Sequence, residues 1–276
     1  MYKKKLVPGL LAGVVWLMLA TFSLASDNSL MMATTTSTDN TGLLEYLIPH
    51  FEQETGIVLK WTATGTGKAL KLGQNCDVDV LLVHAPPAEK AYIERGFGKD
   101  RREVMYNDFV IIGPQSDPAG IKGKSISDAL AAVKSHTAPF MSRGDDSGTN
   151  KKERLLWKAA GIALPDKEAW YVQTGQGMLA TINVAQEKKG YTMTDRGTYI
   201  KYQDSQGGNA PLKVLVEGNK ILLNQYSVLT LDPANCPKSK YDLATKFSDW
   251  MASPSAQKRI GDFRLLGQKL FIPNAH

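Results

Sequence analysis

The chain has 276 residues, 43% of them hydrophobic and 22% charged, which excludes a disordered or low-complexity protein and allows one large domain or two lobes of ordinary size. Its formal net charge is +6, but Lys3, Lys4 and Lys5 form one N-terminal cluster, and without those three the charge falls to +3. So modest and evenly spread an excess argues against a nucleic-acid partner.

That cluster precedes the apolar run "LLAGVVWLMLATFSLA", which closes on the small pair Ser23 and Ala25, spaced as a signal-peptidase site. The run contains a glycine and is shorter than the ~20 residues a membrane-spanning helix needs. Residues 1–25 therefore read as a cleaved signal peptide, with the mature protein exported and soluble. No cysteine follows the cleavage position, so no lipid-anchor site is expected. Two cysteines occur, Cys76 and Cys236. In an oxidising compartment they are candidates for one disulfide, although the sequence does not show whether they lie close together.

Along the mature chain one pattern recurs: an extended apolar run, a Gly/Ser/Thr loop, then a helix-period segment. Leu30 to Ala33 form the first predicted strand, and Leu43, Leu44, Leu47, Ile48 and Phe51 repeat at helical spacing. Pro49 is expected to kink or shorten that helix. Ile57, Leu59, Trp61 and Ala63 alternate with their neighbours as a strand, and a short helix is expected from Thr66. "DVDVLLVHAP" and "REVMYNDFVIIGP" read as further strands. "APFMSRGDDSGTNKKERLLWKAAG" gives a strand, a loop and a helix stopped by Gly161. In "AWYVQTGQGMLATINVAQEKKG" the buried face is expected at Met178, Leu179, Ile182 and Ala185, with Gly190 as the stop. The strand-like "GNKILLNQYSVLTLDP" then precedes one long helix, "KYDLATKFSDWMASPSAQKRIGDF".

Strands buried on both faces and alternating with helices indicate an α/β fold with mixed, mostly parallel sheets flanked by helices. No linker separates two consecutive domains. Two lobes crossed by "NDFVIIGP" and "LLNQYSVLTL" fit better: residues 26–112 as the first part of lobe I, 113–224 as lobe II and 225–276 returning to lobe I. No internal repeat is visible in the sequence.

The loops carry the chemistry. In open α/β sheets ligands sit beyond the carboxyl ends of strands, where helix N-termini present free N–H groups and roughly +0.5 of a charge each. Four such loops together, about +2 in sum, match a dianion. Arg143 adds a full charge and a planar fork suited to two oxygens, and Thr36, Ser37, Thr66, Ser147 and Thr149 supply hydroxyls. The candidate oxyanion ligands are thus Thr36, Ser37, Thr66, Arg143, Ser147, Gly148, Thr149, Gly177 and Met178. Taken singly the loops have plainer readings. "TTTS" is a strand end with a cap, and "TGQGM" a tight turn. "GTGK" fails the phosphate-loop spacing, because residue 62 is threonine and residue 69 alanine. Asp145 and Asp146 are read as orienting Arg143 rather than touching a ligand. No catalytic residue, cation ligand or cofactor is read from the sequence. His50, His84, His136 and His276 are scattered and read as surface or satisfied core residues, and Asp77 and Asp79 as neighbours on one strand face.

At "ATTTSTDNTGLLEYLIPHFEQETG", "DVDVLLVHAP", "SRGDDSGTNKKE" and "YTMTDRGTY" the chain resembles the tungstate-binding periplasmic proteins of ABC importers, the TupA family. The resemblance runs from about Leu30 to Pro273, and the pairing of "TTTS" with "SRGDDSGT" is its most specific part. It implies a two-lobed solute-binding fold with type II sheet order, closing on tungstate or molybdate. It also implies a periplasmic monomer that delivers its anion to an inner-membrane ABC permease and its ATPase. The family's oxyanion contacts fall on Thr36, Ser37, Arg143 and Ser147 to Thr149; Thr66, Gly177 and Met178 are added from loop position. One departure is Asn150, where the family pattern leads us to expect histidine; it bears on fine tuning. The alternatives to be tested are a phosphate- or sulfate-binding protein of the same fold, a phosphoester-processing enzyme, and an adhesion protein using Arg143-Gly144-Asp145.

Overall fold

Short apolar β-branched runs, each ended by a polar loop and followed by a helix, build an alternating chain in the computed structural model. It describes residues 28–275, so the predicted signal segment and its cleavage position lie outside the described residues. In the first half β1 (Ser29–Thr35), α1 (Thr36–Asp39), α2 (Leu43–Thr55), β2 (Val58–Thr64), α3 (Thr66–Gln74), β3 (Val80–Val83) and α4 (Pro86–Glu94) alternate. The long strand β4 (Gly98–Pro114) leads to α5 (Ile126–Ser135), β5 (Phe140–Ser142), α6 (Gly148–Ala159), β6 (Tyr171–Gln173), α7 (Met178–Glu187), β7 (Tyr191–Asp195), α8 (Arg196–Ser205) and β8 (Leu212–Val216). The chain returns through β9 (Leu223–Leu231) to α9 (Tyr241–Ala252) and α10 (Pro254–Asp262).

The strands join in one sheet of order β2-β1-β3-β9-β4-β7-β5-β6, with β8 also on β4. Parallel pairing holds among β1, β2 and β3 and among β5, β6 and β7. The crossing strands β4 and β9 pair antiparallel with their neighbours. β4 faces β9 as far as Asp108 and turns to β7 from Phe109, so its partner changes at one peptide. Each half then has the same layout: a second strand, a first, a third, a strand entering from the other half, and a fourth. This is β2-β1-β3-β9-β4 on one side and β6-β5-β7-β4-β8 on the other. The structural repeat leaves no trace in the sequence because each half meets its periodicity with different apolar residues. Separate cores support the halves, one around Phe51, Phe247 and Phe271, the other around Phe140, Trp157 and Tyr191. No helix among the described residues is long and apolar enough to cross a membrane.

Some local expectations change. α2 runs through Pro49 without being shortened. Its fully buried Leu43, Leu44, Leu47 and Phe51 hold the helix against the core, which offsets the one missing N–H. The predicted long C-terminal helix is two helices, α9 and α10. Ser253, forced extended before Pro254, ends one and caps the next by accepting from the Ala256 N–H. On α7 Leu179 is exposed and Thr181 buried, because the helix turns the latter toward Thr174 (Oγ1 to Oγ1 2.8 Å). Lys189, not Gly190, takes the left-handed conformation after α7. Gly190 is required for space, since a Cβ there would stand 2.6 Å from the Pro139 carbonyl oxygen. Cys76 and Cys236 form a disulfide across 160 positions.

Candidate functional site

Every predicted loop lies at the carboxyl end of a strand. Thr35, the last residue of β1, caps α1 by accepting from the Thr38 N–H (3.2 Å), which places Thr36 and Ser37 on the first turn. Gly65 and Gly177 precede α3 and α7 and offer no side-chain cap, so neither cap competes for the first N–H groups of those helices. Ser147 caps α6, its Oγ accepting from the Asn150 N–H (3.3 Å).

Arg143 follows β5 directly and its backbone is pinned. The Ser142 carbonyl accepts from the Thr174 N–H (2.9 Å) and the Arg143 carbonyl from the Gly175 N–H (2.8 Å). The Ser142 hydroxyl donates to the buried Glu153 carboxylate (2.5 Å) and accepts from Asn150 Nδ2 (3.1 Å). Tyr171 and Trp157 also donate to Glu153 (2.6 and 3.0 Å). Burial raises the Glu153 pKa, and these donors partly offset it. Asn150, the residue that departs from the family pattern, therefore ties the loop together. Gly144 has φ +60°, and a Cβ there would lie 2.7 Å from the Gln173 Cβ, so this turn admits only glycine comfortably.

The loops open on one cleft between the halves of the sheet, in two adjoining compartments. One, of about 460 Å³, is lined by the starts of α3 and α6, including Thr66 and Ser147 to Thr149, together with His84. The other, of about 400 Å³, is lined by the starts of α7 and α8, including Gly177, Met178, Asp195 and Thr198. Thr36, Ser37 and Arg143 border both. All nine candidate residues thus line the cleft, but the four predicted helix starts do not meet at a point: α3 and α6 open on one compartment, α7 on the other and α1 on both. The larger compartment has the starts of α3 and α6, about +1 in sum, plus Arg143 and the first turn of the four-residue α1.

Two donors there stand out. Thr66 Oγ1 and Arg143 Nε are buried with no protein partner, whereas buried polar atoms are ordinarily hydrogen-bonded. The other side of the guanidinium is engaged: Arg143 Nη2 lies 2.5 Å from Asp145 Oδ2, and Asp145 Oδ1 accepts from the Ser147 N–H (3.2 Å). Burial acts to raise the Asp145 pKa, but Ser147 and Arg143 outweigh it and hold the carboxyl below its ordinary value. Gly144 is packed on Gln173, and the two charges of the Arg-Gly-Asp tripeptide are paired with each other.

Sequence reasoning sets His84 aside as a surface or satisfied core residue, and takes "YTMTDRGTY", which holds the start of α8, only as a mark of resemblance. His84 Nε2 lies 2.9 Å from Thr35 Oγ1 and 3.1 Å from Ser37 Oγ, and Nδ1 lies 2.9 Å from Asn224 Oδ1. Its ring stacks on Tyr226 with centroids 4.7 Å apart. Burial pushes the imidazole below its ordinary pKa, with only partial compensation from Asn224 and Asp195. One signal was available: His84 follows a strand and precedes a helix, as the other loops do. Asp195 places a carboxylate in the same cleft, and both oxygens serve α8, accepting from the Thr198 N–H (2.9 Å) and hydroxyl (2.7 Å).

A cleft of helix N-termini and arginine between two halves of this strand order defines a solute-binding protein of the periplasmic type, and residues 23–255 match the model of the PBP superfamily domain. The chain is 49% identical to the tungstate-binding protein TupA of Campylobacter jejuni over 87% of this chain and 88% of that one. Among solved structures it is similar to the tungstate-binding protein TupA from Desulfovibrio alaskensis G20 (66% identity, TM-score 0.86, 90% of this chain and 99% of that one). It is also similar to a structure described as the tungstate ABC transporter from Geobacter sulfurreducens (46% identity, TM-score 0.75, 85% and 98%). The chain belongs to the TupA family of tungstate-binding proteins.

Proposed function

We propose that this protein captures tungstate, or the nearly equal molybdate, in the interlobe cleft and delivers it to an ABC permease driven by a cytoplasmic ATPase. The observation that carries this reading is the pair of buried, unpartnered donors, Thr66 Oγ1 and Arg143 Nε, in a cleft where helix N-termini open. An anion that only accepts hydrogen bonds satisfies both. Arg143 supplies the full charge, and Thr36, Ser37, Thr66, Ser147 and Thr149 the hydroxyls. Gly148, Gly177 and Met178 supply backbone N–H groups. The protein acts by binding rather than turnover, as a monomer in the periplasm after removal of residues 1–25. Lobe I comprises residues 26–112 and 225–276 and lobe II residues 113–224. The strands β4 and β9 act as the hinge, and the change of partner of β4 between Asp108 and Phe109 supports that division.

Sulfate is smaller than tungstate, so a rigid closed cleft sized for the larger anion leaves some donors too far away, at a loss of about 1.5–3 kcal/mol per charge-assisted bond. Titration calorimetry of residues 26–276 with tungstate, molybdate, sulfate and phosphate tests this. Tight one-to-one binding of tungstate, with sulfate and phosphate silent, is expected. Heat only from phosphate or sulfate moves the protein to another anion of the same fold, and silence from all four overturns the anion-binding reading.

A further inference from the structure

Among the described residues His84 is the one histidine whose ring nitrogens both engage groups in the cleft, and its proton can be placed from its neighbours. Asn224 Nδ2 donates to Asn107 Oδ1 (2.8 Å) and to the Tyr226 hydroxyl (3.2 Å), so Asn224 Oδ1 faces His84 Nδ1. The proton of the neutral ring is therefore on Nδ1, and Nε2 is a lone-pair acceptor turned toward Thr35 and Ser37. In that state a hydroxyl proton of Thr35 or Ser37 points at the imidazole and away from the cleft. Thr35 Oγ1 also sits 3.1 Å from Ser37 Oγ and 2.7 Å from Thr38 Oγ1, so the hydroxyls form one chain whose direction the imidazole decides.

A fully ionised tetrahedral oxyanion has lone pairs and no proton to give, so it requires those hydroxyls to donate outward. We propose that His84 is the positioning residue that sets this direction, taking a solvent proton on Nε2 when such an anion enters the cleft. The inference rests on the anion-binding reading above. With Nε2–H donating to Thr35 and Ser37, neither hydroxyl proton is drawn to the ring, the chain runs outward, and Ser37, which borders both compartments, turns its proton to the anion while the imidazolium adds a positive charge behind it. An anion that retains a proton gains less from such a wall.

The charged and titratable groups around the ring are consistent with a change of state only when the anion is present. Asp195 at the start of α8 favours the charged ring, and Tyr226 on β9 stacks on it. Lys68 of α3 and Arg143 line the same compartment and oppose it, while Asp145 pairs with Arg143 and Asp146 with Lys151. Lys152 of α6 borders the ring from the hinge side, and Glu89 of α4, next after the ring's own segment, is neutralised by Arg101. Burial keeps the ring neutral without an anion, and two negative charges in front of it reverse that balance. The sign follows: the ring's pKa is low without the anion and higher with it. Affinity then rises as pH falls through the bound value and levels off below the free value, by at most about tenfold per pH unit.

The test is calorimetry of tungstate binding between pH 6 and 8 in buffers of different ionisation enthalpy, with carbon-13 NMR of the four histidines in parallel. Expected are net proton uptake, affinity rising toward pH 6, and a His84 resonance that titrates higher with tungstate. His84→Gln is expected to abolish the uptake and flatten the pH profile. Tungstate binding whose heat does not depend on the buffer, or uptake retained in His84→Gln, overturns the proposal. If that variant does not fold, the His84 resonance of the natural protein decides alone: no shift with tungstate overturns it. Absence of tungstate binding at every pH instead counts against the anion-binding reading.

Discussion

Arg143 and Asp145 divide one task between them. The guanidinium has a buried Nε without a partner and an Nη2 held by Asp145, so an entering anion meets an arginine partly occupied by an internal carboxylate. We expect Arg143→Ala to weaken tungstate binding at least about 100-fold, from the loss of two charge-assisted bonds, with the melting temperature nearly unchanged. Arg143→Lys recovers only part, because a point charge does not replace a fork. Asp145→Asn makes the opposite prediction. The pair is partly exposed and hence weak, so releasing it raises affinity for all anions alike, by up to about fivefold in calorimetry. A loss of affinity would mean that Asp145 orients the arginine instead. The sequence marked this loop because its chemistry is local: arginine, carboxylate, glycine and cap lie within eight residues. It hid His84, whose partners Thr35 and Asn224 lie 49 and 140 positions away.

Among the elements, α6 links the two halves of the cleft. Its cap Ser147 and its first residue Gly148 face α3 across the larger compartment. A Cβ on Gly148 would lie 3.3 Å from Thr66 Oγ1 and 3.8 Å from His84 Cε1. Gly148→Ala therefore leaves the helix as stable or slightly more so, yet intrudes on the anion's space. We expect unchanged or raised thermal stability with about tenfold weaker tungstate binding, a separation of readouts that a folding defect does not produce. Ser147→Ala is expected to lose a helix cap, about 1 kcal/mol by chemical denaturation, together with the proposed anion contact. The starts of α1 and α6 were legible because a cap accepts from a residue three positions on. The division of the C-terminal helix at Ser253 was legible too, in the "SP" pair, but apolar periodicity on both sides masked it.

For the whole molecule, the two ends of the sheet have different duties. The Cys76–Cys236 disulfide lies at the amino end of β3, and the cleft lies beyond its carboxyl end. Replacing both cysteines with serine is expected to cost about 2–5 kcal/mol of stability, read by denaturant titration, while tungstate affinity stays close to that of the natural protein. Closure of the lobes about β4 and β9 predicts a smaller radius of gyration by X-ray scattering with tungstate than without; equal radii count against it. The sequence by itself determined the α/β alternation, the polar loops at strand ends, the arginine and the hydroxyl donors, because periodicity, capping and turn chemistry act over a few residues. The tertiary structure alone decided that β4 and β9 cross between halves, that Cys76 meets Cys236, that the helix starts divide between two compartments, and that His84 stands behind Ser37. Those are contacts between distant segments, fixed by how the sheet orders its strands rather than by any local preference.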